Sequence, residues 1–211
     1  MVVVSRLLEC IGYTMKTIPL FLFICWILAL IAYFISVLGL IRTKNQKTFN
    51  TYFLNQIDQL LYLLILGLPG AMIISMFLMG TGNMVSMTLL LFTGLICLLP
   101  AWIGLRMRLR LLEINKHSSI NFNDNWSQFE LINDKESEIF PNSTETHAMY
   151  FHFNNPRTPW GQYGILILTS NSRRPVSTML FDFPRYEKQL RITVERKSVR
   201  LKEFNSLLKA L

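Results

Sequence analysis

At 211 residues, 51% apolar and with a positive mean hydropathy, the chain is too greasy for an ordinary water-soluble globule, and part of it is expected to live in lipid. Its formal charge of +8 is lopsided: residues 1–110 hold eight Lys/Arg against only Glu9 and Asp58, whereas residues 111–211 hold thirteen against eleven acids. Basic residues gathered beside apolar runs argue for anchoring at a membrane face and against nucleic-acid binding as the source of the charge.

Residues 1–17 read as a weakly charged N-terminal segment and not as a cleaved signal, because the apolar run that follows is too long for a signal core and ends without a small-residue cleavage site. That run, about Ile18 to Ile41, has no charge between Lys16 and Arg42 and exceeds the roughly 20 residues needed to cross a bilayer core. A second uncharged stretch of 47 residues separates Asp58 from Arg106 and is broken by Gly80-Thr81-Gly82-Asn83. It is expected to form two antiparallel spans, about 59–79 and 85–105, joined by a tight turn. Residues 18–110 thus form a three-helix membrane region. The fold class is membrane α-helical, with a small cytoplasmic β-rich (α+β) domain behind the helices.

Between the first two spans Phe49, Tyr52, Phe53 and Ile57 follow helical spacing and suggest an amphipathic lead-in at the headgroup level. Arg42, Lys44 and Lys47 in this loop, and Arg106, Arg108 and Arg110 after the third span, are expected to anchor the chain at the cytoplasmic interface, with Trp102 in the aromatic belt. The turn at 80–84 has no basic residue, so it faces outward. Gly67, Ala71 and Ser75 repeat every four residues and offer a helix-packing face. Pro69 and Pro100 are expected to kink their helices. The spans hold no charged residue at mid-membrane depth, which argues against a proton relay or ion-coupled transporter. The third helix is expected to run on to about residue 115.

Residues 111–146, with seven acids before Thr146, read as a polar acidic connector in which FNDNWSQFELI contributes one short strand. Residues 147–211 read as a domain of antiparallel strands, at 148–153, 163–169 and 176–183, followed by a strand and a helix from about Ser198. Arg157, Trp160, Arg173 and Arg174 lie in its turns and form the candidate surface for a partner or anionic ligand. Asn125-Trp126-Ser127 and Asn142-Ser143-Thr144 match the glycosylation sequon, which matters only if the domain faces a secretory lumen.

Chemistry is hard to find in this sequence. His147 and His152 point to opposite faces of one strand, no cysteine stands near them, and no phosphate loop, nucleophile elbow or dinucleotide fingerprint occurs. Cys10, Cys25 and Cys97 all precede the soluble part, so no disulfide framework is implied. Tyr150, Phe151 and Phe153 come without an RNP motif, which disfavours nucleic acid or nucleotide as a partner. The expectation is a non-enzymatic, cofactor-free, multi-pass protein of a bacterial inner membrane. Its partners would be the lipid bilayer, a protein on the cytoplasmic side and further copies of itself. Such a chain suits an effector that senses a partner or ligand and controls a membrane-permeabilising bundle, as in bacterial defence. The alternative is a scaffold subunit of a secretion or conjugation complex, or an immunity-type inhibitor.

Overall fold

The computed structural model describes residues 2–37, 47–51, 57–79, 83–133, 136–155, 157–169 and 173–211, with side chains from Thr17 onward. Arg42, Lys44, Tyr52, Phe53 and the Gly80-Thr81-Gly82 turn lie outside the described residues. The chain divides into two units: Met1–Arg42 with Ile57–Leu105, and Thr43–Gln56 with Arg106–Leu211.

The first unit holds three helices, α1 (Val2–Val37), α2 (Ile57–Leu78) and α3 (Met84–Ile114), the last of which ends in the second unit. All three are long and apolar enough to cross a membrane by length and composition, over Thr17–Ser36, Ile57–Leu78 and Met84–Ile114. Asn83 starts α3 as an N-cap, its Oδ1 accepting from the Ser86 amide at 2.9 Å.

Pro69 leaves the Ile65 carbonyl of α2 without its usual donor four residues on. Trp26 of α1 takes that place, its Nε1 donating to Ile65 O at 3.1 Å. The proline thus creates an acceptor that the neighbouring helix satisfies, as lipid cannot. Tyr33 and Tyr62 meet at 6.1 Å along the same α1–α2 seam. α2 and α3 approach closely at Gly70 and Gly94: a Cβ on Gly70 would sit 2.8 Å from Gly94 O, and one on Gly94 would sit 2.6 Å from Ile74 Cγ1. Gly67 faces Ala101 Cβ. Of the expected stripe, Gly67 therefore lies against α3, Ser75 is buried with its hydroxyl donating to Met72 O, and Ala71 is half-buried.

The second unit is a pair of four-stranded sheets. One has the order β1 (Thr48–Asn50), β2 (Ser118–Phe122), β3 (Gln128–Asn133), β4 (Glu136–Pro141), with every neighbour antiparallel. The other has the order β7 (Arg173–Ser177), β6 (Gly164–Thr169), β5 (His147–Phe153), β8 (Thr193–Val199), where β8 alone runs parallel to its neighbour. A short helix α4 (Phe183–Tyr186) and a 3₁₀ turn (Glu187–Gln189) lead to β8, and α5 (Leu201–Ala210) follows it. Ile120, Phe122, Phe129, Leu131 and Phe140 of one sheet meet Ala148, Tyr150, Leu166, Leu168 and Val176 of the other in a common core.

Two expectations change here. The acidic connector is three strands, because Ser118, Ile120 and Phe122 alternate inward as a half-buried strand requires and the acids occupy the other face and the turns. Phe49 is no interfacial anchor. It sits in β1, 6% exposed, opposite Ile120.

Candidate docking surface

The second unit is completed by residues from both sides of the α2–α3 hairpin. Ahead of it, β1 pairs Thr48 with Asn121 and Asn50 with Ser119, and Lys47 closes the edge through a 2.6 Å ion pair with Asp124. That lysine holds the Asp124 carboxyl below its ordinary range. Phe49 stands edge-on to Phe122 at 5.8 Å, Phe181 at 5.0 Å and Tyr186 at 5.0 Å, in the middle of the aromatic core. Behind the hairpin, the last turns of α3 bury Met107, Arg108, Leu111 and Asn115, one face at helical spacing. The Asn115 side chain donates to Pro175 O at 2.9 Å and accepts from the Ser177 amide at 2.7 Å. This fixes the helix to edge strand β7, where a proline costs no ladder bond.

Arg108 and Arg110 therefore depart from the expected role of interface anchors. Arg108 is 0% exposed, with its guanidinium beside the buried Tyr163 phenol. Burial pushes that phenol up, and the arginine charge works against the rise. Arg110 donates to Asn205 Oδ1 of α5 at 3.2 Å. Arg106 and Trp102 remain exposed.

The four turn residues named as a candidate surface lie in two turns, whose placement at opposite or adjacent strand ends the sequence left open, and the structure puts them at opposite ends. Arg157 and Trp160 lie in the β5–β6 connection, and Arg173 and Arg174 start β7 beyond the β6–β7 turn. In an antiparallel meander successive turns fall at opposite ends of the sheet, here separated by the length of β6, roughly 20 Å at about 3.4 Å per residue. Arg174 is also engaged, bonded to Glu136 at 2.8 Å and Glu138 at 3.0 Å, which raises its own pKa and joins edge strands β4 and β7. Arg157 and Arg173 are exposed, and Trp160 is half-buried.

A residue noted in the sequence only as part of a glycosylation sequon becomes a hub. Asn142, 4% exposed, donates through Nδ2 to Trp126 O at 2.6 Å and Gln189 O at 3.1 Å, and its Oδ1 accepts from the Arg191 amide at 2.7 Å. It ties the β2–β3 turn to the segment leading into β8, so this sequon cannot carry a glycan in the folded unit. The only sequence signal was an Asn between a strand and a Ser-Thr pair.

A run rich in positive charge follows that hub. Residues 184–211 carry eight Lys/Arg and three acids. Glu187 is paired with Arg196, and the Glu203 carboxylate accepts from the Arg200 amide to cap α5. Arg191, Lys197, Arg200, Lys202 and Lys209 are exposed around β8 and α5. Lys197 lies 5.9 Å from the Phe151 ring. The arrangement offers backbone edges, cations and aromatic faces, which are the parts of a binding surface.

A family model described as a PH domain matches residues 41–183, a region that runs from before β1, through the whole hairpin, to the start of α4. No curated protein and no solved structure matches the chain.

Proposed function

The chain belongs to the PH domain family, and from that premise we propose that it is a non-enzymatic docking module held at the cytoplasmic face of a membrane by three spans. One observation carries this reading: β1 and Phe49 precede the hairpin, and the rest of the sheet pair follows it. A domain closed around both ends of a membrane hairpin is tied to the bilayer at every moment of its folded life. Its work is then to present a protein-binding surface there. The cytoplasmic side follows from the Lys/Arg at 42–47 and 106–110 against none at 80–84.

A photo-crosslinking residue placed in cells at Arg157, Arg173 or Lys197 tests the reading. A discrete crosslinked protein product at one of these sites, lost when Phe49→Ala opens the core, is expected. Products at none of them, or products indifferent to Phe49→Ala, would refute it.

A second reading is an effector in which docking alters assembly of the uncharged bundle and membrane permeability. It is favoured by α3, which supplies residues to both units and so gives binding a route to the spans. A membrane-potential dye separates the two, since a docking module leaves the potential unchanged when its partner is present.

A further inference from the structure

We propose that the outer edge of β5 is a strand-docking site, and that β8 with α5 occupies it as an internal strap which an extended segment of a protein partner displaces. The family match ends at Phe183, so the strap lies outside the part of the chain shared with the family. Within the match, β7, β6 and β5 form an antiparallel meander whose β5 edge has bare backbone groups until β8 arrives. β8 pairs along the whole of β5, from His147 opposite Thr193 to Phe153 opposite Val199, and it is the only parallel strand of the eight described. Strand addition to such an edge draws its affinity from main-chain bonds and its selectivity from alternate side chains.

The strap is fastened by buried groups at its two ends, and between them it is held by the strand ladder and by surface contacts, Arg196 with Glu187 and Lys197 with the Phe151 ring. Its base is clasped by Asn142, by the Thr193 amide donating to Thr146 O at 3.0 Å and by the Thr193 hydroxyl donating to Thr144 O at 3.0 Å. At its tip, Phe204 is 0% exposed with its ring 4.5 Å from Phe153, and Val199 is buried beside it. Glu195, Arg196, Lys197 and Ser198 in the middle are all exposed. Peeling β8 from the tip therefore uncovers three buried side chains, Val199, Phe204 and the Phe153 beneath them, and leaves the base in place. Sites that open in this way lie at the low-stability end of a fold. The strap also defines the partner: an extended segment with a β-branched residue for the Val199 position, followed by a helical turn that brings an aromatic ring back onto the Phe153 face, as α5 does with Phe204.

This inference rests on the docking reading but fails separately, because crosslinks at Arg157 or Arg173 persist even if the strap is permanent. The probe is a labelled synthetic peptide of residues 190–211, added to the full chain in detergent with Cys10, Cys25 and Cys97 replaced by Ala. Phe204→Ala is expected to bind it at least tenfold more tightly than the unaltered strap does. Met149→Cys with Glu195→Cys, which are Cα partners across β5 and β8, should abolish binding when oxidised and restore it when reduced. Peptide binding that ignores the disulfide, or is absent from a folded Phe204→Ala chain, overturns the proposal. So does a disulfide formed between a Met149→Cys copy and a Glu195→Cys copy when the two are mixed, which would show straps exchanged between like chains. Should Phe204→Ala not fold, hydrogen exchange on the unaltered chain decides: the Glu195 and Lys197 amides are expected to exchange at least 100-fold faster than those of central strand β6, and equal rates overturn the proposal.

Discussion

At the scale of single residues, the polar atoms that fold this chain are those left over by something else. Trp26 answers a carbonyl vacated by Pro69, and its replacement by phenylalanine keeps the ring but orphans Ile65 O. Trp26→Phe is expected to cost about 1 kcal/mol of helical-unit stability, read by thermal unfolding in detergent, and Trp26→Phe combined with Pro69→Ala to recover most of it. Tyr150 shows a different kind of fit. Its hydroxyl fills the space a Cβ on Gly164 would occupy, 2.5 Å away, and burial drives its pKa well above the ordinary phenol range, with the Asp182 charge adding to the rise. The folded state thus holds the Tyr150 proton more tightly than the unfolded chain does. Stability from this residue is complete below about pH 10, the unfolded value, and declines as pH climbs above it. Tyr163, raised by its own burial, acts in the same direction. Melting of the soluble unit followed from pH 9 to 11.5 should fall in the unaltered chain and fall less in Tyr150→Phe. An equal slope in both would assign the alkaline loss elsewhere. Asn142→Ala leaves the Arg191 amide and two carbonyls short of a partner and is expected to cost about 1–3 kcal/mol.

At the scale of elements, the sequence revealed helices more fully than their contacts. The three spans stand out by hydropathy, and the run of α3 past Arg106 follows from unbroken helical spacing. The four-residue stripe through Gly67, Ala71 and Ser75 lies on α2, where a close approach to α3 is made by Gly70 against Gly94, a pair whose meeting depends on the register of two helices. Gly70→Ala is therefore expected to lower thermal stability in detergent by about 1–3 kcal/mol, because the new methyl meets backbone that cannot rotate away. Ala71→Leu, at a half-buried position, should cost less, and the reverse order would mean that the helices meet on another face. Strands β2 to β4 were obscured by their acids, which made an alternating pattern look like a solvated connector. β1 was obscured for a deeper reason. Phe49 and its neighbours fit a helical period locally, whereas the interactions that make them a strand lie across the hairpin, as with Lys47 and Asp124, 77 residues apart. The placement of the candidate surface was open for the same reason, since its arginine- and tryptophan-bearing positions are near in sequence and lie at opposite ends of a sheet.

At the scale of the molecule, the order of segments is strand, apolar helical hairpin, then the remaining seven described strands. A PH-family domain built in that order cannot close its core until the hairpin has been passed, and Phe49→Ala, which removes a ring from the centre of that core, is expected to cost about 3–5 kcal/mol. If the three apolar helices span a bilayer, as proposed, the same order puts the end of α1, the start of α2 and the end of α3 on one side, with residues 80–82 on the other. Cysteine accessibility in intact cells tests this central claim most directly, using a chain whose Cys10, Cys25 and Cys97 are replaced by Ala. A cysteine at Thr81 should react with a membrane-impermeant maleimide from outside, while one at the exposed Asn125 should react only after the membrane is permeabilised. Labelling of Asn125→Cys in intact cells with Thr81→Cys protected would contradict this, because it would put the PH-family domain on the outer face.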